Sequence, residues 1–241
     1  MIHVVAAAVI DRLGSVLIAQ RPQGKHLAGG WEFPGGKLKS GEDRRSGLAR
    51  ELREELGITI SSPRPLMRLR HTYPYGEVLL DMWVVRHYTG EPTGLDGQAL
   101  RWCTRSELES VQLLPADAPI VTALRLPERL TQKSTPDYTV DLGGTAGSGG
   151  TADLGGKGRD GRLLGALCSG AQEAEDRARG GADFLVLREG SRGEITQICE
   201  SIPVPVYAPA LVIAPGLAIA PGLSIEDAWT LGATGISDLK L

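Results

Sequence analysis

The 241 residues are poor in aromatic side chains, 5% in all with two phenylalanines, and hold three cysteines. Cys103, Cys168 and Cys199 are odd in number, widely spaced and in no Cys-x-x-Cys pair. That argues against a disulfide framework and a zinc site and fits a reducing, cytoplasmic setting. No run reaches the roughly 18 apolar residues of a membrane helix, so no membrane partner is expected. The opening stretch MIHVVAAAVIDRLG lacks a basic flank and a cleavage-type end, and reads as a strand rather than a signal peptide. Strong charge of either sign is also missing: the net is −3, made of +2 over residues 1–130 and −5 over residues 131–241. Without a basic stripe there is no match for a nucleic-acid backbone, whereas a small anionic ligand stays open.

What is present is enough apolar material for a packed core, 41% hydrophobic residues against 23% charged. The length suits one or two domains. Composition changes near residue 131. Nine glycines fall between Gly143 and Gly161, and the stretch 131–161 has almost no large apolar residue, so it reads as a flexible linker. All four histidines and three of the four tryptophans precede it. The first part reads as mixed α/β: a hairpin from IHVVAAAVI and SVLIAQ, a helix near Arg44–Leu56, strands near Leu66–His71, Glu77–His87 and Leu100–Thr104, and a last helix near Pro119–Leu126. In the second part short apolar runs alternate with helical segments, the pattern of βα units on a parallel sheet. The five-residue duplication in IAPGLAIAPGL, residues 213–223, reads as a loop insertion.

The most informative segment is GKLKSGEDRRSGLARELREELGI, residues 36–58. At about 100° per residue Glu51, Glu54 and Glu55 share one face of a helix, and Leu48, Leu52 and Leu56 form an adjacent apolar stripe. Gly57 follows as a natural C-terminal stop. Hard oxygen ligands on a rigid face suit Mg²⁺ or Mn²⁺, which take one or two carboxylates plus substrate phosphates. A solvated acidic face with i,i+4 partners such as Arg50 and Glu54 has the same spacing. The preceding GGWEFPGGK permits close backbone approach at Gly35 and Gly36, and places Lys37 where it could meet a phosphate.

Read together, Gly36, Glu42, Arg50-Glu51-Leu52, Glu54-Glu55 and Gly57-Ile58 match the Nudix box at every fixed position. The segments WEFPGGK and LPADAP resemble the MutT branch of that family, the 8-oxo-dGTP diphosphatases, and the resemblance covers about residues 2–130. It implies a Nudix α/β/α sandwich with a mixed sheet, which cleaves a nucleoside triphosphate to the monophosphate and pyrophosphate and so cleanses the nucleotide pool. It implies in-line attack by water and Mg²⁺ or Mn²⁺ held by the Gly35 carbonyl, Glu51, Glu54, Glu55 and, from a distant loop, Asp96. Glu51 is the leading candidate to orient or deprotonate the water, with Glu54, Glu55 and Lys37 completing the catalytic set. Glu42 and Arg50 are expected to support the loop and helix. The resemblance places Arg21 and His26 near the nucleotide, and Glu32, Phe33 and Pro34 around the base. Asp117 stands where the branch has a base-reading Asn; an ionised Asp only accepts hydrogen bonds, which puts the choice of base in question. Another (d)NTP, a nucleoside diphosphate derivative, or a binding-only sensor linked to thiamine metabolism are the alternatives. Tyr73 and Tyr75 could cover a purine or pack on the surface, and Trp31 could stack or fill the core. His3, His71 and His87 read as structural.

Residues 162–241 resemble the C-terminal half of thiamine-phosphate synthase-like (β/α)₈ barrels through LLGALCS, GADFLVLRE, PVPVYA and GATGISDL. About four βα units are expected where a closed barrel needs eight. PALVIAPGLAIAPGL replaces the glycine turn that cradles phosphate in that family. The expectation is an incomplete half-barrel-like region without catalysis, its open edges free for self-association or for docking on the first domain.

Overall fold

The computed structural model describes residues 1–24, 26–131, 134–135, 137–141, 162–209 and 225–237. The glycines of 143–161 and the duplicated 213–223 segment lie outside the described residues. The chain divides into two compact units, one of Met1–Leu66 and Arg70–Val121, the other of Met67–Leu69 and Thr122–Leu241. Among the described residues no helix is long and apolar enough to cross a membrane.

The first unit begins with β1 (Ile2–Ile10), β2 (Val16–Gln20), β3 (Trp31–Glu32), β4 (Gly35–Lys37) and α1 (Arg44–Leu56). It continues with β5 (Thr59–Ser61), β6 (Arg64–Tyr73), β7 (Gly76–Val85), β8 (His87–Thr89), β9 (Leu100–Cys103) and α2 (Arg105–Leu108). A 3₁₀ turn at Pro115–Asp117 leads into α3 (Ala118–Arg125). The main sheet runs β3-β2-β1-β7-β6, with β4 also on β1 and β9 also on β2, and it mixes parallel and antiparallel pairs. The β1–β2 turn forms because the Asp11 carboxylate accepts the Leu13 and Ser15 amides at 2.9 and 2.8 Å.

β1 and β7 pair in parallel from Ile2↔Val78 to Val9↔Val85. Their period-2 alternation divides the side chains between two faces. Val5, Ala7, Val9, Trp83 and Val85 pack with Leu48, Leu52 and Leu56, the apolar stripe of α1. The alternate set, including Val4, Ala6, Val78 and Leu80, lines a cleft. α1 starts at an Asp43 N-cap that accepts the Ser46 amide, and stops at Gly57, whose φ of 71° is left-handed. Buried Asp81 on β7 accepts a 2.9 Å hydrogen bond from Arg44, fixing the first turn of the helix to the sheet.

The second unit holds β10 (Arg129–Leu130), β11 (Tyr138–Asp141), β12 (Leu163–Cys168), α4 (Ala171–Arg179), β13 (Phe184–Leu187), α5 (Arg192–Ser201), β14 (Val206–Pro209), α6 (Ile225–Thr230) and β15 (Gly235–Ser237). Its six strands are parallel in the order β10-β15-β14-β13-β12-β11, an open half-barrel arrangement with helices in the crossovers. Leu185 and Leu187 face α4 and α5, while Phe184 and Val186 join Tyr138, Leu167 and Tyr207 on the opposite face. Burial on both faces is what makes these strands continuously apolar. Gly165 admits the Phe184 ring: a Cβ there would stand 2.3 Å from it.

The boundaries differ from the sequence reading: the first domain was expected to run to residue 130, yet the second unit takes in the chain from Thr122 on. The linker was expected to begin at residue 131, yet Tyr138–Asp141 form a strand paired with β12. Tyr138 and Val140 are buried while Thr139 and Asp141 are half-buried, an alternation too short to register beside so many glycines.

Leu52 is fully buried between α1 and the sheet. Leu52→Ala should cost about 2–5 kcal/mol in urea unfolding followed by a probe in the first unit; a loss under about 1 kcal/mol would contradict this packing.

Candidate functional site

The site is built on the short strand β4. Gly35 adopts φ 152°, and a Cβ there would lie 2.2 Å from the Val5 carbonyl oxygen. At Gly36 the obstacle is different, since a Cβ would lie 2.3 Å from the Glu51 carboxylate. Neither position has room for a side chain, so the bare backbone runs directly against β1 on one side and α1 on the other. The Gly35 N–H donates to Glu55 at 3.1 Å.

Arg50 organises the carboxylates around this strand. Its guanidinium donates to both oxygens of Glu42 at 2.8 Å, to Glu51 at 2.7 Å, to Glu54 at 3.1 Å and to the Lys37 carbonyl at 3.3 Å. The bidentate geometry explains the electrostatics. The Arg50 hydrogen bonds, with help from the Lys39 amide, hold the Glu42 carboxyl down at about 2, and the carboxylates in turn raise the Arg50 pKa. The i,i+4 pair of Arg50 and Glu54 is present, and Glu51 and Glu55 lie beside Gly36 and Gly35.

A cleft of about 720 Å³ opens beside β4. Arg21, His26, Glu32, Phe33, Gly35, Lys37, Glu51, Glu54, Glu55, Asp96 and Asp117 all line it, so the structure gathers residues from distant parts of the chain around one space. Pro34 departs from the expectation. It lies outside this cleft, borders a smaller pocket with Glu55, Asp96 and Gln98, and its carbonyl accepts the Ala7 amide at 2.9 Å. Pro34 stands in the short bend between β3 and β4, outside either strand.

Part of the cleft lining is apolar and aromatic. Tyr73 and Tyr75 are stacked with ring centres 5.1 Å apart, and His26 meets Tyr75 edge-on at 4.8 Å. Arg21 donates to the His26 carbonyl at 2.6 Å and makes a short ion pair with Glu32, which ties His26 to β3. Asp117, at the end of the 3₁₀ turn, is the one charged side chain sunk into this wall: it is 5% exposed. Desolvation pushes its carboxyl well above the usual range. The negative charge of Glu32 adds to that, while the Phe33 amide and Arg21 oppose it. Burial also raises the Tyr73 hydroxyl. Leu114 and Ala116 belong to the LPADAP segment, whereas the walls supplied by Ile2, Val4, Ala6, Val78 and Leu80 were not singled out from sequence. The alternation in β1 and β7 was their only signal, and it does not say which face is a ligand wall.

Glu51, Glu54 and Glu55 offer hard oxygen donors at one end of this space, a donor set that fits a divalent cation by its chemistry. Gly36 leaves the room in which the Glu51 carboxylate lies. Among the described residues no three acidic, His or Cys side chains converge on one point. The hydrogen bonds explain the separation, since Arg50 holds Glu51 and Glu54 while the Gly35 amide holds Glu55.

Comparisons with known proteins agree with this geometry. The family described as NUDIX domain matches residues 5–123. The CTP pyrophosphohydrolase of Escherichia coli (strain K12) is 41% identical over 123 residues, which make up 51% of this chain and 90% of that protein. The putative 8-oxo-dGTP diphosphatase 2 of Mycobacterium tuberculosis (strain ATCC 25618 / H37Rv) is 42% identical over 116 residues, 48% of this chain and 82% of its own. The 8-oxo-dGTP diphosphatase of Escherichia coli (strain K12) is 30% identical over 124 residues, 52% of this chain and 96% of its own. Through its N-terminal half the chain belongs to the Nudix family of hydrolases, enzymes of phosphoric anhydrides that generally need divalent metal ions.

Proposed function

We propose that the first unit converts a nucleoside triphosphate to the monophosphate and pyrophosphate, with 8-oxo-dGTP the leading substrate, and so keeps damaged nucleotides out of replication. Mg²⁺ or Mn²⁺, when bound, would neutralise the phosphates and polarise a phosphoryl oxygen. Glu51, Glu54 and Glu55, with the Gly35 carbonyl and Asp96, would hold the cation at the glycine end of the cleft. The two bonds from Arg50 to Glu42 hold the guanidinium in place beside Glu51 and Glu54. Glu51 would orient the attacking water, and Lys37, exposed at the rim, would meet a phosphate oxygen. The chemistry asks for positioning and charge neutralisation rather than a covalent nucleophile.

The observation that carries the base preference is buried Asp117. A neutral carboxyl both donates and accepts, as the Asn of the MutT branch does. It can therefore pair with an edge that presents one donor beside one acceptor. 8-Oxoguanine offers N7–H beside O6, whereas guanine offers two acceptors there. Tyr73, Tyr75 and His26 would enclose the base, with Arg21 and Glu32 fixing the loop beneath it. A second reading is CTP. Cytosine has an N4 donor beside the N3 acceptor, and one relative at 41% identity carries the name CTP pyrophosphohydrolase. For the second unit we propose a non-catalytic half-barrel resembling part of a thiamine-phosphate synthase.

Pyrophosphate release by the full chain over a panel of 8-oxo-dGTP, dGTP, CTP and dCTP, with Mg²⁺ and with chelator, tests the assignment. Turnover with Mg²⁺ and none with chelator is expected; no turnover of any triphosphate would overturn it. Glu51→Gln should lower kcat at least about 10²-fold; wild-type turnover would remove the proposed role of Glu51.

The raised Asp117 pKa sets the sign of a pH effect. The neutral, donating form exists below the folded-state pKa and is lost as pH rises through it. Relative to Asp117→Asn, kcat/KM of the native chain should therefore fall with rising pH. Stability should follow the same sign, because the unfolded Asp ionises near pH 3.9 while the folded one resists. The Tm of Asp117→Asn should gain on the native chain as pH rises. Parallel pH profiles for the two proteins would remove Asp117 from base recognition.

A further inference from the structure

The loop between β8 and β9 is held against the end of α1 by an amide that no role assigned so far uses. The last carbonyls of a helix lack partners within it. Here the Thr93 N–H donates to the Leu56 carbonyl at 3.0 Å and the Leu95 N–H to the Glu55 carbonyl at 2.9 Å. Gln98 adds a bridge from its side chain. Its Nε2 donates to the same Glu55 carbonyl at 3.0 Å, and its Oε1 accepts the Asp96 N–H at 2.9 Å. Each end of the amide meets a group that only the observed orientation can satisfy.

The turn between these contacts is tight. The Gly97 N–H donates to the Gly94 carbonyl at 3.1 Å. A Cβ at Gly94 would lie 2.1 Å from the Gln98 carbonyl oxygen. Asp96 therefore stands at the tip of a pinched turn tied to the main chain of Glu55 directly by the Leu95 N–H and, on the other side of Asp96, through the Gln98 side chain. Asp96 is exposed and borders the cleft alongside Glu51, Glu54 and Glu55. A carboxylate on an untied loop would have to lose its mobility on each binding event; a tied one has lost most of it in advance.

We propose that Gln98 is a positioning residue that fixes the reach of Asp96 relative to Glu55 and thereby strengthens divalent-cation capture at the acidic end of the cleft. This rests on the reading that Asp96 joins the cation site. Supporting groups behind a ligand are worth about 10–100-fold in metal affinity, and the lower end applies to a backbone-directed clamp.

The test is titration of the full chain with Mn²⁺ alone, following free Mn²⁺ by electron paramagnetic resonance. It compares the native protein, Gln98→Met, Asp96→Asn and the double variant. Met keeps the length of the side chain and loses both hydrogen bonds, and a Tm for each variant verifies folding. Gln98→Met should weaken Mn²⁺ binding about 10-fold, Asp96→Asn should also weaken it, and the double variant should match Asp96→Asn. Additive losses in the double variant would overturn the inference, because Gln98 would then act without Asp96. Native-like affinity in Gln98→Met beside a weakened Asp96→Asn would overturn it alone. Native-like affinity in Asp96→Asn would overturn the role of Asp96 and this inference with it.

Discussion

Two glycines without room for a side chain set the distance between the acidic helix and the sheet. The close approach at Gly35 is to main-chain atoms of β1, and at Gly36 to the carboxylate of Glu51. A methyl group at Gly35 would push β4 off β1, and with it the amide that holds Glu55, whereas one at Gly36 would displace the Glu51 carboxylate. The approach is possible because α1 is anchored independently, by its leucine stripe, by the Arg44–Asp81 bond and by caps at both ends. Backbone shape, helix packing and carboxylate placement are thus one arrangement.

That arrangement would be self-repelling without Arg50. Four glutamates lie within reach of β4, and a single guanidinium contacts three of them. Its strongest attachment is to Glu42, on the loop ahead of the helix, where the two-pronged geometry matches a carboxylate. Its bonds to Glu51 and Glu54 are single. The guanidinium therefore has a firm hold on the scaffold and a lighter one on the groups that line the cleft. A fixed internal cation of this kind lets the acidic helix stay folded when no external one is bound. Another part of the cleft follows a different rule: burial pushes the Asp117 carboxyl well above the usual carboxylate range, with the Phe33 amide and Arg21 opposing.

Much of the first unit was legible in the sequence because its determinants are local. The spacing of Leu48, Leu52 and Leu56, with Gly57 after, points to α1 at Arg44–Leu56 without reference to the rest of the chain. The fixed positions of the Nudix box led to the family for the same reason. What escaped was set by tertiary context. Nothing local indicates that Val4 and Leu80 face a cleft while Val5 faces α1, or that Pro34 lies outside that cleft while its neighbours Phe33 and Gly35 line it. The state of Asp117 depends on burial and on the distant residues Arg21, Glu32 and Phe33, so an Asp in place of Asn looked like a change of charge. The strand at Tyr138–Asp141 was hidden by composition, because a four-residue alternation carries little weight beside a long glycine run.

The pairing of β10 with β15 has a practical corollary. Arg129 and Leu130 lie beside Ile236 and Ser237, so the first strand of the second sheet adjoins the last. Tyr207 reinforces that corner with a short hydrogen bond to the Pro127 carbonyl. Anyone wishing to separate the catalytic half by proteolysis or truncation should therefore cut ahead of Pro127. A cut at residue 130 would carry away a border strand that the other half uses to cover its own rim.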